Sequence, residues 1–287
     1  MDTFQQQCRS RLLALALAED CQVNGDITTH ATIAPEATGR AVIRAKADGI
    51  LSGSAVASEV FRLCDPAMVM EWHFADGDHL SAGSVILDVS GRMAQMLVAE
   101  RTALNFMQRM SGIATRTREF VDAVSHTGAV ILDTRKTAPG LRFFDKAAVL
   151  DGGGCNHRFG LFDMVLIKDN HSDAAGGVDH AIRSARAYCK EHHLDVPLEV
   201  EVRTMQELDV VLGCQPDIIL LDNFSLETLR EAVGYARCRC GVLLEASGNI
   251  GMHNVAAVAE TGVDRISVGE LTHSVRALDL SMTLRLE

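Results

Sequence analysis

The chain is poor in positive charge: 27 Lys and Arg stand against 38 Asp and Glu, a formal charge of -11. That deficit excludes non-specific nucleic-acid binding, which needs an excess of cations to displace condensed counterions. Any anionic ligand must therefore be held by local clusters. Proline is scarce, with 5 residues, while 47% of the chain is hydrophobic, so disorder is excluded and a real core expected. The eight Cys are scattered. Cys238 and Cys240 have one residue between them, too close for a usual metal-ligand pair, so all read as reduced thiols. No long apolar run is present; the one from Leu12 to Leu17 is too short for a bilayer and lacks the basic flank of a signal peptide. A cytoplasmic protein is expected. No lysine sits at a hairpin tip near Asp76-Gly77-Asp78 or Ala82-Gly83, which removes a lipoyl or biotin carrier.

The 287 residues suit a barrel-sized domain plus a smaller one. Leu12, Leu13, Ala16 and Leu17 form a helical stripe over Gln5 to Ala18, ended by Asn24-Gly25-Asp26. Between Gly39 and Gly91 short runs (Ala41 to Ile43, Val69 to Trp72, Val85 to Leu87) alternate with tight turns around a helix at Ala55 to Leu63. A long helical region follows from Met93 to Val121, with an interruption expected at Ser111-Gly112. Beyond residue 128 six near-continuous apolar runs recur, as parallel strands buried on both faces require. They are Val130 to Leu132, Val165 to Ile167, Leu198 to Val202, Ile218 to Leu221, Val242 to Leu244 and Arg265 to Val268. Amphipathic helices separate several of them: Val178 to Glu191, Met205 to Leu212, Ser225 to Arg237 and Asn254 to Glu260. The fold class is α/β: an incomplete (β/α) barrel, with a further strand possible only near Ala147 to Leu150, beside a smaller α+β sandwich-like N-terminal domain. The alternation Leu278, Leu280, Met282, Leu284, Leu286 falls outside the rhythm and is expected to pair with the smaller domain's sheet. The expected division is 1–115 plus 275–287 for the small domain and 116–274 for the barrel.

In such a barrel the residues that follow each strand share one mouth. The first strands bring cations: Arg135 and Lys136, Arg158 with His157 after Gly152-Gly153-Gly154, and Lys168. From Asp133 to His171 five Asp nearly balance six Lys and Arg, so placement, not bulk charge, makes this an anion site. The middle strands end in Glu201 and Asp222, which could hold Mg²⁺ or sugar hydroxyls or pair with Lys168. Ser247-Gly248 and Gly269 follow the last two, where backbone N–H groups can cradle a phosphate.

At these residues the sequence resembles the quinolinate phosphoribosyltransferases. The motifs run through Gly25-Asp26-Ile27-Thr28, Glu100-Arg101-Thr102-Ala103-Leu104-Asn105, Asp133-Thr134-Arg135-Lys136-Thr137, Gly152 to Arg158, Ile167 to His171, Glu199 to Val202, Leu221-Asp222-Asn223, Glu245 to Gly248 and Leu271 to Ser274. The resemblance implies transfer of phosphoribose from phosphoribosyl pyrophosphate to quinolinate with decarboxylation, using Mg²⁺, in a homodimer or higher homo-oligomer with shared sites. It implies that Arg135, His157, Arg158 and Lys168 hold the two carboxylates with help from Thr134, and that Arg101 reaches in from the partner subunit. It places Lys136 on the pyrophosphate, Glu201 and Asp222 on the ribose and Mg²⁺, and Ser247, Gly248, Gly269 and His273 on the 5′-phosphate. Lys136, Lys168, Glu201 and Asp222 are the expected catalytic set. Two other readings are weighed: a relative from molybdenum transport, which typically lacks the intact Lys168 to His171 block, and a Schiff-base lyase using Lys168.

Overall fold

The computed structural model describes residues 3–239 and 241–285, so Cys240 and Leu286, used in the expectations above, lie outside the described residues. The elements run α1 (Thr3–Cys21), α2 (Ile27–Thr32), β1 (Thr38–Ala45), β2 (Gly49–Ile50), α3 (Ser54–Cys64), β3 (Val69–Trp72), β4 (His79–Leu80), β5 (Val85–Arg92) and α4 (Met93–Val124). They continue as β6 (Val130–Leu132), α5 (Arg142–Asp151), β7 (Val165–Ile167), α6 (Asp169–Ala174), α7 (Val178–Glu191), β8 (Leu198–Val202) and α8 (Met205–Cys214). The last are β9 (Ile218–Asp222), α9 (Leu226–Arg237), β10 (Leu243–Ser247), α10 (Val255–Ala259), β11 (Arg265–Ser267), α11 (Glu270–His273) and β12 (Leu280–Arg285).

Contacts group Met1–Arg118, Thr137–Gly153 and Ser274–Glu287 into one unit and Glu119–Lys136 with Gly154–His273 into another. The first unit carries an antiparallel sheet in the order β12-β1-β5-β3. Strand β12 pairs with β1 from Arg40 opposite Arg285 to Ala45 opposite Leu280. The period-two pattern explains it: Leu280 is buried while Thr283 and Arg285 face solvent.

Two local expectations fail here. Helix α4 runs unbroken for 32 residues, through Ser111-Gly112. Gly112 is there for proximity: a Cβ would lie 2.2 Å from the Arg276 carbonyl oxygen, so the returning chain can cross the helix only at a glycine. The segment Ala147 to Leu150 is helical, within α5. A four-residue apolar run does not by itself distinguish strand from buried helix; here Phe144 and Ala148 share a fully buried face, and Phe144 packs on Phe106 at 4.8 Å between ring centroids. Arg109 grips Asp145 with two 2.8 Å hydrogen bonds, which fastens α5 to α4 and places Thr137–Gly153 with the first unit.

The second unit holds six parallel strands in the order β6-β11-β10-β9-β8-β7. This is the incomplete (β/α) barrel: among the described residues it has six strands and no ladder joining β6 to β7. At the open seam Cys155 adds one parallel bridge to Leu132, its N–H donating to the Ile131 carbonyl at 2.8 Å. Helix starts follow the local sequence: the Ser225 hydroxyl accepts from Thr228 N–H and the Thr204 hydroxyl from Glu207 N–H. Among the described residues no helix is long and apolar enough to cross a membrane.

Gly112→Ala separates proximity from ordinary helix propensity. In an unobstructed helix the change stabilises by about 1 kcal/mol. Here it should destabilise by about 1–3 kcal/mol in urea titration, because the clashing atom is backbone; a gain in stability would contradict the packing described.

Candidate active site

All six strands of the second unit point the same way, so the residues that follow them gather on one side of the sheet. After β6, Asp133 is fully buried, and its carboxylate accepts the His157 backbone N–H at 2.9 Å. The Thr134 hydroxyl accepts the Lys136 N–H at 3.0 Å, and Arg135 and Lys136 emerge exposed beyond it. Arg158 is half-buried and its Nη1 reaches the Met164 carbonyl at 3.4 Å. Burial lowers the Arg158 pKa, and so does the nearby positive charge of Arg135. Two guanidinium groups within electrostatic reach of each other are a poor arrangement for a free protein and a good one for a dianion.

Lys168 follows β7 and caps the short α6. Its Nζ lies 3.2 Å from Glu201 Oε2; the lysine side chain is 48% exposed and the glutamate 7%, so the carboxylate is fixed and the amine open to ligand. On β9, Asp222 accepts from the Ser247 hydroxyl at 2.9 Å and from the Asn223 amide at 2.6 Å. Ser247 lies directly opposite Asp222 in the β9–β10 register. The turn after β10 has two left-handed residues, Gly248 at φ +93° and Asn249 at φ +50°, and Asn223 on the neighbouring strand end has φ +57°. A Cβ at Gly248 would lie 2.1 Å from Asn223 Oδ1, so glycine lets the two turns interlock. A Cβ at Gly269 would sit 3.1 Å from Lys136 Cδ and 3.2 Å from His273 Cδ2, which brings those three expected residues together. The Thr272 hydroxyl donates to the Lys136 carbonyl at 3.0 Å and closes that corner.

Twelve of the thirteen expected site residues thus belong to the second unit; Arg101, exposed on α4, belongs to the first. His157 is nearly enclosed, with a side chain 7% exposed. Its Nε2 faces Glu199 and Glu245, at 2.9 and 3.4 Å, both fully buried. Burial opposes charge on the ring, but the two carboxylates outweigh it and raise its pKa. Burial likewise pushes the Glu199 carboxyl up, with the Glu245 charge adding to it against the hydrogen bond from His157. Neither Glu199 nor Glu245 is given a role of its own by the sequence, where both stand only inside motifs. The signal was in Leu198-Glu199-Val200-Glu201-Val202, where period two puts both glutamates on one face.

An open α/β barrel whose mouth sets paired cations against carboxylates and glycine turns defines an enzyme built for highly anionic substrates. The chain belongs to the quinolinate phosphoribosyl transferase family: the model of its N-terminal domain matches residues 26–111 and that of its C-terminal domain residues 113–283. A chloroplastic nicotinate-nucleotide pyrophosphorylase [carboxylating] of Arabidopsis thaliana is 46% identical over 96% of this chain and 82% of its own. The Mycobacterium leprae protein of the same name is 45% identical over 94% of each. The solved structure of the nicotinate-nucleotide pyrophosphorylase from Francisella tularensis superposes with a TM-score of 0.91 at 40% identity, covering 97% of this chain and 96% of that one.

Gly248→Ala should force Asn223 aside and release its hold on Asp222. The expected result is a loss of turnover of about tenfold or more, while unfolding free energy drops by only about 1–3 kcal/mol. Full activity would show that this interlock is not needed.

Proposed function

We propose that this chain transfers the phosphoribosyl group of phosphoribosyl pyrophosphate to quinolinate and releases CO2, giving nicotinate mononucleotide and pyrophosphate. The observation that carries the reading is placement: Arg135 after β6, Arg158 just beyond the Cys155 bridge to β6, and Lys168 after β7 lie at the same end of the parallel sheet, with Arg158 feeling the like charge of Arg135. A planar dicarboxylate relieves that repulsion, and bidentate guanidinium contacts fix its ring nitrogen in one direction. The names of the relatives agree: those from Nicotiana tabacum are called quinolinate phosphoribosyltransferase [decarboxylating].

In this reading Arg135, His157, Arg158 and Lys168, with Thr134 beside them, take the acceptor's carboxylates. Its nitrogen attacks the anomeric carbon as pyrophosphate leaves, so no side-chain nucleophile is needed. Lys136, in its corner with Gly269 and His273, meets the departing and 5′-phosphate charge, and Ser247-Gly248 supplies the other turn. Glu201 and Asp222 face the ribose hydroxyls. Both are hard oxygen donors already fixed by neighbours, a set that fits Mg²⁺ completed by substrate oxygens; the ion would offset pyrophosphate charge. Positive charge around the carboxylates stabilises the electron pair left on the ring when CO2 departs. The assembly proposed is a homodimer in which Arg101 serves the partner's site, and the location proposed is the cytoplasm. A Schiff-base lyase is disfavoured because Lys168 is half exposed and paired with Glu201, not enclosed in the apolar pocket that such a lysine needs. The intact Lys168 to His171 block disfavours the molybdenum-transport relative.

Incubation with quinolinate, phosphoribosyl pyrophosphate and Mg²⁺ should yield nicotinate mononucleotide and pyrophosphate in equal amounts, and nicotinate in place of quinolinate should yield neither; absence of product from quinolinate defeats the proposal. Glu201→Ala should keep quinolinate affinity by calorimetry within about threefold while lowering kcat at least about a hundredfold. Mixing inactive Arg101→Ala with inactive Lys168→Ala should restore part of the activity through hybrid dimers; no recovery after confirmed subunit exchange would assign Arg101 to its own chain's site.

A further inference from the structure

Three asparagines stand outside the proposed reaction, yet their side chains form a line that leads into it. Asp222 accepts the Ser247 hydroxyl on Oδ1 and the Asn223 amide on Oδ2. Asn223 Oδ1 in turn accepts Asn249 Nδ2 at 3.2 Å, and the Asn249 carbonyl accepts Asn254 Nδ2 at 3.1 Å. Asn254 Oδ1 closes the line by taking the Gly251 backbone N–H at 2.9 Å. The carboxylate sets the direction of the first two links. Ionised, Asp222 can only accept, so Asn223 must turn its NH2 group toward it and its oxygen toward Asn249, which must then donate.

Turn geometry alone does not account for this line. Asn223 and Asn249 are left-handed, at φ +57° and +50°, a region that asparagine enters more readily than other side chains and glycine more readily still. Glycine would therefore meet the backbone demand at either position, as it does at Gly248 with φ +93°. What glycine cannot supply is the amide that joins the turn after β10 to the carboxylate at the end of β9.

We infer that Asn249 is a positioning residue for the donor: through Asn223 it holds the Asp222 carboxylate in the orientation that meets the ribose hydroxyls, and it ties that orientation to the Ser247-Gly248 turn that receives the 5′-phosphate. The inference rests on the reading above, in which both groups serve phosphoribosyl pyrophosphate. An ionised carboxylate has about four lone-pair positions. Ser247 and Asn223 occupy one on each oxygen, which restrains rotation of the group and leaves the others to ligand. Asn249 follows Gly248 directly, so a phosphate seated on that turn steadies the amide that steadies Asp222, and the two ends of the donor reinforce each other. Asn254 anchors the far end, its side chain spanning the Asn249 carbonyl and the Gly251 N–H.

Asn249→Gly separates this role from a purely structural one, because it keeps the left-handed backbone and removes only the amide. The calorimetric Kd and the KM for phosphoribosyl pyrophosphate with Mg²⁺ should each rise about fivefold, while the quinolinate KM stays within about twofold. Asn249→Asp, of the same shape but without a donor, should raise both at least as much, and it gives the same comparison should Asn249→Gly not fold. In an Asn223→Gly background Asn249→Gly should add less than about twofold, since the link is already cut. Wild-type donor affinity in the Asn249 variants, equal rises in the two KM values, or an undiminished effect without Asn223 would overturn the inference. Wild-type protein that neither binds phosphoribosyl pyrophosphate nor makes nicotinate mononucleotide overturns the functional reading and this inference with it. An active wild type whose Asn249 variants bind the donor unchanged overturns the inference alone.

Discussion

Parallel strands can be joined only by crossovers, and a right-handed crossover returns the chain to the same starting side each time. In this chain that constraint leaves Asp133, Lys168, Asp222 and the turns after Ser247 and Ser267 on one side of a six-stranded sheet, although they are spread from residue 133 to residue 268 of the sequence. A chain with a net charge of -11 thereby concentrates cations where it needs them. Neighbouring strands fix which groups meet: β6 lies beside β11, so Lys136 meets Gly269 and His273, and β9 beside β10 brings Asp222 to Ser247.

The same strands also work in depth. Glu199 and Glu201 share a face of β8 about 6.6 Å apart along the strand. The outer one pairs with Lys168 at the mouth, and the inner one faces His157 in the interior. The mouth holds groups that a ligand can exchange for their present partners, as with the half-exposed Lys168. The interior holds Glu199 and Glu245, both fully buried. The functional proposal concerns the outer layer.

Much of this was legible in the sequence. The six apolar runs are the six parallel strands, Val178 to Glu191 is a helix with those bounds, and the alternation from Leu278 onward is the strand that closes the first unit's sheet. These succeed because a period of 2 or 3.6 is a local record of which face is buried. The misses share another cause. Gly112 reads as a helix breaker until Arg276, 164 residues later, is seen to need the space, and Ala147 to Leu150 is helical because Phe144 and Asp145 dock on Phe106 and Arg109. Asp133 directly follows a strand, yet it is fully buried and holds the chain at His157. Such roles depend on contacts between distant segments, which one sequence does not record.

The central claim is that the acceptor sits among Arg135, Arg158 and Lys168 while the opposite carboxylates are left to the sugar. A crystal structure of the complex with quinolinate tests it most directly. The account predicts both pyridine carboxylates within hydrogen-bond distance of those three side chains, with Glu201 and Asp222 free of the pyridine ring; carboxylates bound instead at the Gly248 and Gly269 turns would contradict it.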